Sequence, residues 1–243
     1  MMRREAIYSF ADLTVHVSHR YEYLTEMCQD YISTRTPDVA IEVTEEDILR
    51  EQERSEEGCT NAPYLESLAF YRKLCEWAVT RRVLLFHCSA IAVDGVAYLF
   101  AAPSGTGKST HTALWRRVFG DRAVMINDDK PLLRLNEDGV LVCGTPWDGK
   151  HRLSTNASAP VGGICFLARG EKNTIERISP NEALARLLGQ TFRPESAEGT
   201  AQMLQLAIEL TARVPMWLLH CNISEEAVHT AYEAMRKDIF ASR

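Results

Sequence analysis

The 243-residue chain carries 33 acidic residues against 27 Lys and Arg, a formal net charge of −6, and is 46% hydrophobic and 25% charged. That balance fits one large α/β domain, or a domain with a smaller appendage. It weighs against extensive disorder and against nucleic acid or an anionic membrane as the main partner.

Seven scattered cysteines, none spaced C-x-x-C, read as reduced thiols and not as disulfides or a zinc site. The N-terminal stretch MMRREAIYSFADLTVHV lacks the apolar run of a signal peptide, and no stretch approaches the roughly 20 apolar residues of a membrane span. The expectation is a soluble, cytoplasmic protein. Its oligomeric state, a homo-oligomer included, stays open.

In chain order, residues 6–18 alternate loosely as strand material, and DVAIEV (38–43) follows as a second strand. Thr44 then opens an acidic helix, and apolar residues at Leu65, Leu68, Ala69, Leu74 and Trp77 mark a helical stripe over 63–81. Residues 1–80 thus form an N-terminal α+β subdomain with no chemical motif of its own.

From residue 81 onward the composition changes. VLLFHCSAIAVDGVAYLFAA (83–102) contains short β runs with a hairpin turn at Asp94-Gly95. A helix is predicted over 108–119, an apolar strand over 122–127, and a second hairpin around Asp138-Gly139. A third hairpin is predicted over 162–179, turning at Arg169-Gly170. Ser179-Pro180-Asn181-Glu182 starts a helix, another spans 197–213, VPMWLLHC (214–221) is a last strand, and Ser224 opens a terminal helix. Hairpins beside a strand–loop–helix unit imply a mixed sheet.

The motif that carries chemistry is Ala-Pro-Ser-Gly-Thr-Gly-Lys-Ser at 102–109, which keeps the P-loop spacing with Ala102 in place of the first glycine. Small residues let the backbone amides of Ser104, Gly105, Thr106, Gly107 and Thr110 converge on phosphate oxygens at a helix N-terminus. Lys108 would reach the terminal phosphates, and Ser109 would offer its hydroxyl to Mg²⁺. A β run before the loop and a helix after it supply the context this motif requires.

Twenty residues after Lys108, the strand VMIN ends in Asp128-Asp129, where one carboxylate can hold metal while the other accepts a hydroxyl proton. His87, after the strand VLLF, is placed to meet the terminal phosphate or to tune Asp128. The loop GTPWDGKHR (144–152) offers Lys150 as a phosphate clamp. The remaining histidines, His111 among them, show no metal-ligand spacing.

The stretches HCSAIAVDGVAYLFAAPSGTGKSTHTALW and INDDKPLLR together resemble the catalytic domain of HPr kinase/phosphorylase. The closer resemblance is to bacterial HPr serine kinase-related proteins with a GTPWDGK loop. It covers about 83–195.

The resemblance implies an α/β fold with a mixed sheet, an HPr kinase/phosphoenolpyruvate carboxykinase-like P-loop core over 81–243, and ATP and Mg²⁺ as cofactors. Asp128 then matches the acceptor of a seryl proton, Asp129 its metal-side neighbour, and His87 a histidine near the reacting phosphate. The family's Glu-Val-Arg-Gly type segment is not visible here, and residues 1–80 do not look like its regulatory domain.

The expected activity is Mg-ATP-dependent phosphoryl transfer to a serine-type hydroxyl on a protein, peptide or small molecule. The alternatives are a carboxykinase-like enzyme and a non-catalytic nucleotide-binding regulator.

Overall fold

The computed structural model describes residues 3–55 and 58–241, with side chains through 237. The chain divides into two compact units, Met1–Arg81 and Arg82–Arg243. Among the described residues no helix is long and apolar enough to cross a membrane.

In the first unit β1 (Arg4–Phe10) and β2 (Leu13–His19) form an antiparallel hairpin. The single strand region expected over 6–18 is therefore two strands. Its two-residue turn, Ala11-Asp12, has φ of 50° and 61° but lacks the Gly or Asn that usually marks such a turn. After α1 (Glu22–Met27), β3 (Val39–Glu42) pairs parallel to β2.

Thr44 then caps α2 (Glu45–Arg54) in a reciprocal box with Asp47. Asn61 caps α3 (Ala62–Ala78). Glu66 on α3 is fully buried. Its carboxylate accepts from the Arg20 and Tyr21 amides at 2.6 and 2.9 Å, which offsets its loss of water.

The second unit runs β4 (Val83–Leu85), β5 (Ser89–Val93), β6 (Val96–Ala101), α4 (Lys108–Phe119), β7 (Ala123–Asn127), β8 (Leu132–Leu135) and β9 (Val140–Cys143). It continues through β10 (Ser158–Arg169), β11 (Thr174–Arg177), α5 (Pro180–Leu188), α6 (Ala197–Arg213), β12 (Met216–Cys221) and α7 (Glu225–Ala241). The strands form one nine-stranded sheet in the order β4-β8-β9-β10-β6-β5-β7, with β12 on β10 and β11 on β12. The fold is mixed α/β.

The hairpins at Asp94-Gly95 and Asp138-Gly139 are present as antiparallel pairs. The third expected hairpin is not. β10 and β11 never pair; β12 lies between them, parallel to β10 and antiparallel to β11. Burial explains the choice. Residues 162–167 of β10 are buried and need an apolar strand on each side, which Met216-Trp217-Leu218-Leu219 supplies. Thr174-Ile175-Glu176-Arg177 is mostly exposed and suits an edge.

Both faces of this sheet are buried, and one face carries an aromatic cluster. Tyr98 and Phe100 on β6 meet Trp115 on α4 at ring-centroid distances of 5.0 and 5.1 Å, and Tyr232 on α7 closes the cluster 5.6 Å from Tyr98. Burying an aromatic side chain of this size contributes about 2–3 kcal/mol, so the cluster holds α4, and the loop before it, rigidly on the sheet.

Trp217 packs against Gly163 so closely that a methyl group there would lie 2.3 Å from the ring. Gly163→Ala is expected to destabilise the chain by about 1–3 kcal/mol, read as a lowered midpoint in denaturant unfolding. An unchanged midpoint would mean that the Trp217 ring is free to move aside.

Candidate functional site

Strand direction assembles the site. β5 runs antiparallel to both β6 and β7, while β10 is parallel to β6 and β12 parallel to β10. The C-terminal ends of β7, β6, β10 and β12 and the N-terminal end of β5 therefore share one edge of the sheet. In α/β sheets that edge is where ligands bind. The edge carries Asp128-Asp129 after β7, His87 before β5, the glycine-rich loop after β6, and Arg169 and Cys221 at the ends of β10 and β12.

The loop turns through a Thr106 N–H donated to the Pro103 carbonyl (3.2 Å) and enters α4 at Gly107, whose φ of 118° disfavours any side chain. No side chain caps α4, so its first amides face out of the helix end. Ser104, Gly105, Ser109 and Thr110 are exposed, and Thr106 is half-buried. Lys108 is not: it is 9% exposed, and its ammonium donates to the Ala102 carbonyl of its own loop at 2.8 Å. Burial holds the Lys108 pKa below its ordinary value, against the opposing pull of Asp129, Cys88 and Asp128. That mutual influence places the lysine within electrostatic reach of both carboxylates.

The two aspartates occupy different surroundings. Asp128 is 5% exposed, and its Oδ1 accepts from the buried Ser89 hydroxyl at 2.6 Å. Asp129 is more open and contacts His87 Nε2 at 3.0 Å and the Lys130 ammonium. His87 thus pairs with Asp129; the expected contact with Asp128 is absent from the described contacts. Burial raises the Asp129 pKa, but the His87 hydrogen bond and Lys130 outweigh it and bring it down to about 2.

The 144–152 loop lies over this turn. Asn127, fully buried at the end of β7, donates its amide to the Thr145 carbonyl at 2.9 Å and the Trp147 carbonyl at 3.3 Å. Its Oδ1 accepts from the Asp129 and Lys130 amides at 2.8 and 2.7 Å. One side chain therefore ties the loop to the carboxylate pair. A methyl group on Gly149 would lie 3.1 Å from Asp128 Oδ2, so the loop backbone covers that oxygen. Lys150 is exposed, and no contact among the described residues joins it to the glycine-rich loop.

On the other side of the glycine-rich loop is a cavity of about 600 Å³ whose lining includes Thr106, Gly107, His111, Leu114, Arg169 and Ile223. The Arg169 guanidinium donates to the Gly105 carbonyl at 2.9 Å. His111 is 4% exposed, and burial lowers its pKa to about 4.

Asn127, Ser89, His111 and Arg169 were not picked out from the sequence as site residues. Asn127 was legible only as part of a strand-to-turn junction. His111 had one available signal, its i, i+4 spacing to Trp115 on the buried face of α4.

Among the described residues no group of three or more His, Cys, Asp or Glu is arranged to hold a metal. Ser109 and Asp129 supply hard oxygen donors, the set that Mg²⁺ takes when phosphate oxygens and waters complete its shell. Those residues fit that ion.

The structure is a mixed-sheet α/β fold with a glycine-rich strand–loop–helix and two carboxylates at the same sheet edge. The chain belongs to the family described as SynChlorMet cassette protein ScmC, whose model matches residues 68–233. No curated protein matches it. A solved structure, the Hpr(Ser) kinase/phosphatase from Coxiella burnetii, is similar at a TM-score of 0.36 and 14% sequence identity, over 64% of this chain and 98% of that one.

The Asp129 pKa has a consequence for stability. A carboxyl depressed from about 3.9 in the unfolded chain to about 2 in the folded one contributes stability that is full above the higher value. That contribution is lost as pH falls through the lower one. Asp129→Asn is expected to flatten the pH dependence of unfolding between those two values. An unchanged acid limb in a pH series of denaturant melts would rule out the His87–Asp129 pairing.

Proposed function

We propose that the chain is a Mg-ATP-dependent phosphotransferase acting on a hydroxyl acceptor. The observation that carries this reading is the common sheet edge shared by the uncapped α4 N-terminus, buried Lys108 and the Asp128-Asp129 pair. An uncapped helix start presents amides to phosphate. A lysine held on a loop carbonyl can exchange that partner for a phosphate oxygen. Phosphoryl transfer asks little more of a protein than such positioning and charge compensation.

In this reading the amides of Ser104 to Thr110 and the Lys108 ammonium hold the phosphates. The Ser109 hydroxyl and Asp129 hold Mg²⁺, which when bound would neutralise charge developing on the phosphates. Asp128 accepts the acceptor's hydroxyl proton, with Ser89 fixing the rotamer of its carboxylate, and His87 orients Asp129. Because Gly149 covers Asp128 Oδ2, the 144–152 loop must shift before a hydroxyl can approach. Lys150 at its tip would then move with it, as lid elements do in other transferases.

The acceptor is a protein, a peptide or a small molecule bearing a hydroxyl. A nucleotide-binding regulator is the competing reading, and turnover separates the two.

Lys108→Ala is expected to weaken Mg-ATP binding at least tenfold by calorimetry with little change in melting temperature, since among the described residues its ammonium bonds its own loop. Equal affinities would remove the phosphate-loop assignment. Asp128→Asn should retain Mg-ATP binding and lose transfer by about 10²–10⁴-fold, the range for a lost general base. The assay is ADP release across a panel of hydroxyl acceptors. Retained transfer with altered Mg²⁺ dependence would show that the two aspartates exchange roles.

A further inference from the structure

The roughly 600 Å³ cavity beside the glycine-rich loop is larger than phosphates lying on backbone amides require, and it falls within the range of small-molecule sites. It sits at the ends of β10 and β12, whereas the carboxylates sit at β7. β6 and β5 lie between, so the loop after β6 is flanked by the cavity on one side and the reacting groups on the other.

Of the polar side chains in the cavity lining, His111 is the buried one. Trp115 Nε1 donates to His111 Nε2 at 3.0 Å. An indole N–H can only donate, so Nε2 is the unprotonated nitrogen and the neutral ring carries its hydrogen on Nδ1. Phe100 meets the ring edge-on at a centroid distance of 4.6 Å and helps to fix its plane. No protein partner for the Nδ1–H is found among the described residues. The ring is 96% shielded from solvent, and this tautomer leaves the Nδ1–H as the donor that this cavity-lining residue has to offer. Leu114, Leu167 and Ile223 give it apolar walls, and Glu171 stands exposed at its rim.

We infer that this cavity is the nucleoside subsite of the nucleotide whose phosphates lie on Gly105–Lys108, with the His111 Nδ1–H donating to an acceptor atom of the base. The apolar walls flank the base, and the Glu171 carboxylate at the rim accepts from ribose hydroxyls. His111 is then a specificity-determining residue: it favours a nucleoside polyphosphate over a bare polyphosphate. This rests on the phosphate-loop reading above.

The test titrates the full chain by calorimetry with Mg-ATP and with Mg-tripolyphosphate. The wild-type chain is expected to prefer Mg-ATP at least tenfold. His111→Gln keeps an acceptor for Trp115 and a donor for the ligand, and should retain that preference; His111→Leu should lose most of it while binding tripolyphosphate as before. Because His111→Leu strands the Trp115 N–H, the H111L/W115F double variant removes both partners and repeats the measurement in a satisfied core. In the wild-type chain the His111 Nδ1–H proton resonance should move on adding Mg-ATP and stay in place with tripolyphosphate.

Equal wild-type affinity for the two probes, an unmoved resonance, or a preference retained in both leucine variants overturns the nucleoside assignment while leaving the phosphate loop standing. Binding of neither probe removes both.

Discussion

β5 lies between β6 and β7 and runs against both, with Ser89 paired to Phe100 on one side and Ala90 to Asn127 on the other. Because β5 is reversed, β6 and β7 are parallel to each other without being neighbours, and each delivers its C-terminal end to the same edge. The residues that lead into β5, His87 and Cys88, arrive at that edge from the opposite chain direction. Carboxylates, histidine and glycine-rich loop thus meet without any of them being close in sequence. The buried residues of β5 and β6 leave little freedom for this register to slip. The site inherits the rigidity of the sheet.

Within that frame the polar groups are not equivalent, and burial decides how each behaves. Asp128 has lost most of its water and is compensated by Ser89, whereas Asp129 keeps some exposure and is compensated by His87 and Lys130. Lys108 is held on a carbonyl of its own loop. Cys88, fully buried among them, has its thiol pushed well above the ordinary value by burial and stays a thiol. A site assembled this way holds a lysine short of a strong anionic contact beside two carboxylates with different access. In the proposed reading, one of them holds a cation while its neighbour takes a proton. Asn127 couples the arrangement to the covering loop, since the amide that holds Thr145 and Trp147 belongs to the same side chain whose oxygen shapes the Asp129 turn.

The first unit is built by different means. Its sheet has three strands, and the buried charge of Glu66 is balanced by the Arg20 and Tyr21 amides at the approach to α1. The Thr44–Asp47 box and the Asn61 cap fix where two of its helices begin.

Local chemistry was readable along the chain because it acts over a few residues. The turn at Asp94-Gly95, the helix starts at Thr44 and Ser179, and the limits of α4 and α6 follow from turn residues, caps and the helical period. The Gly-Thr-Gly-Lys-Ser loop and the Asp-Asp pair were visible as motifs for the same reason.

The tertiary structure alone decided the long-range pairings. β12 enters between β10 and β11 because buried strands recruit apolar partners at any sequence distance, and a local reading saw only a hairpin at Arg169-Gly170. His87 joins Asp129 and not Asp128 because successive residues leaving a strand point in different directions, which no spacing rule reports. His111 looked ordinary until the fold buried its ring against Phe100 and Trp115 and opened a cavity beside it. Motifs record which groups are present. Burial and strand direction, set by contacts far apart in the chain, determine which of them meet.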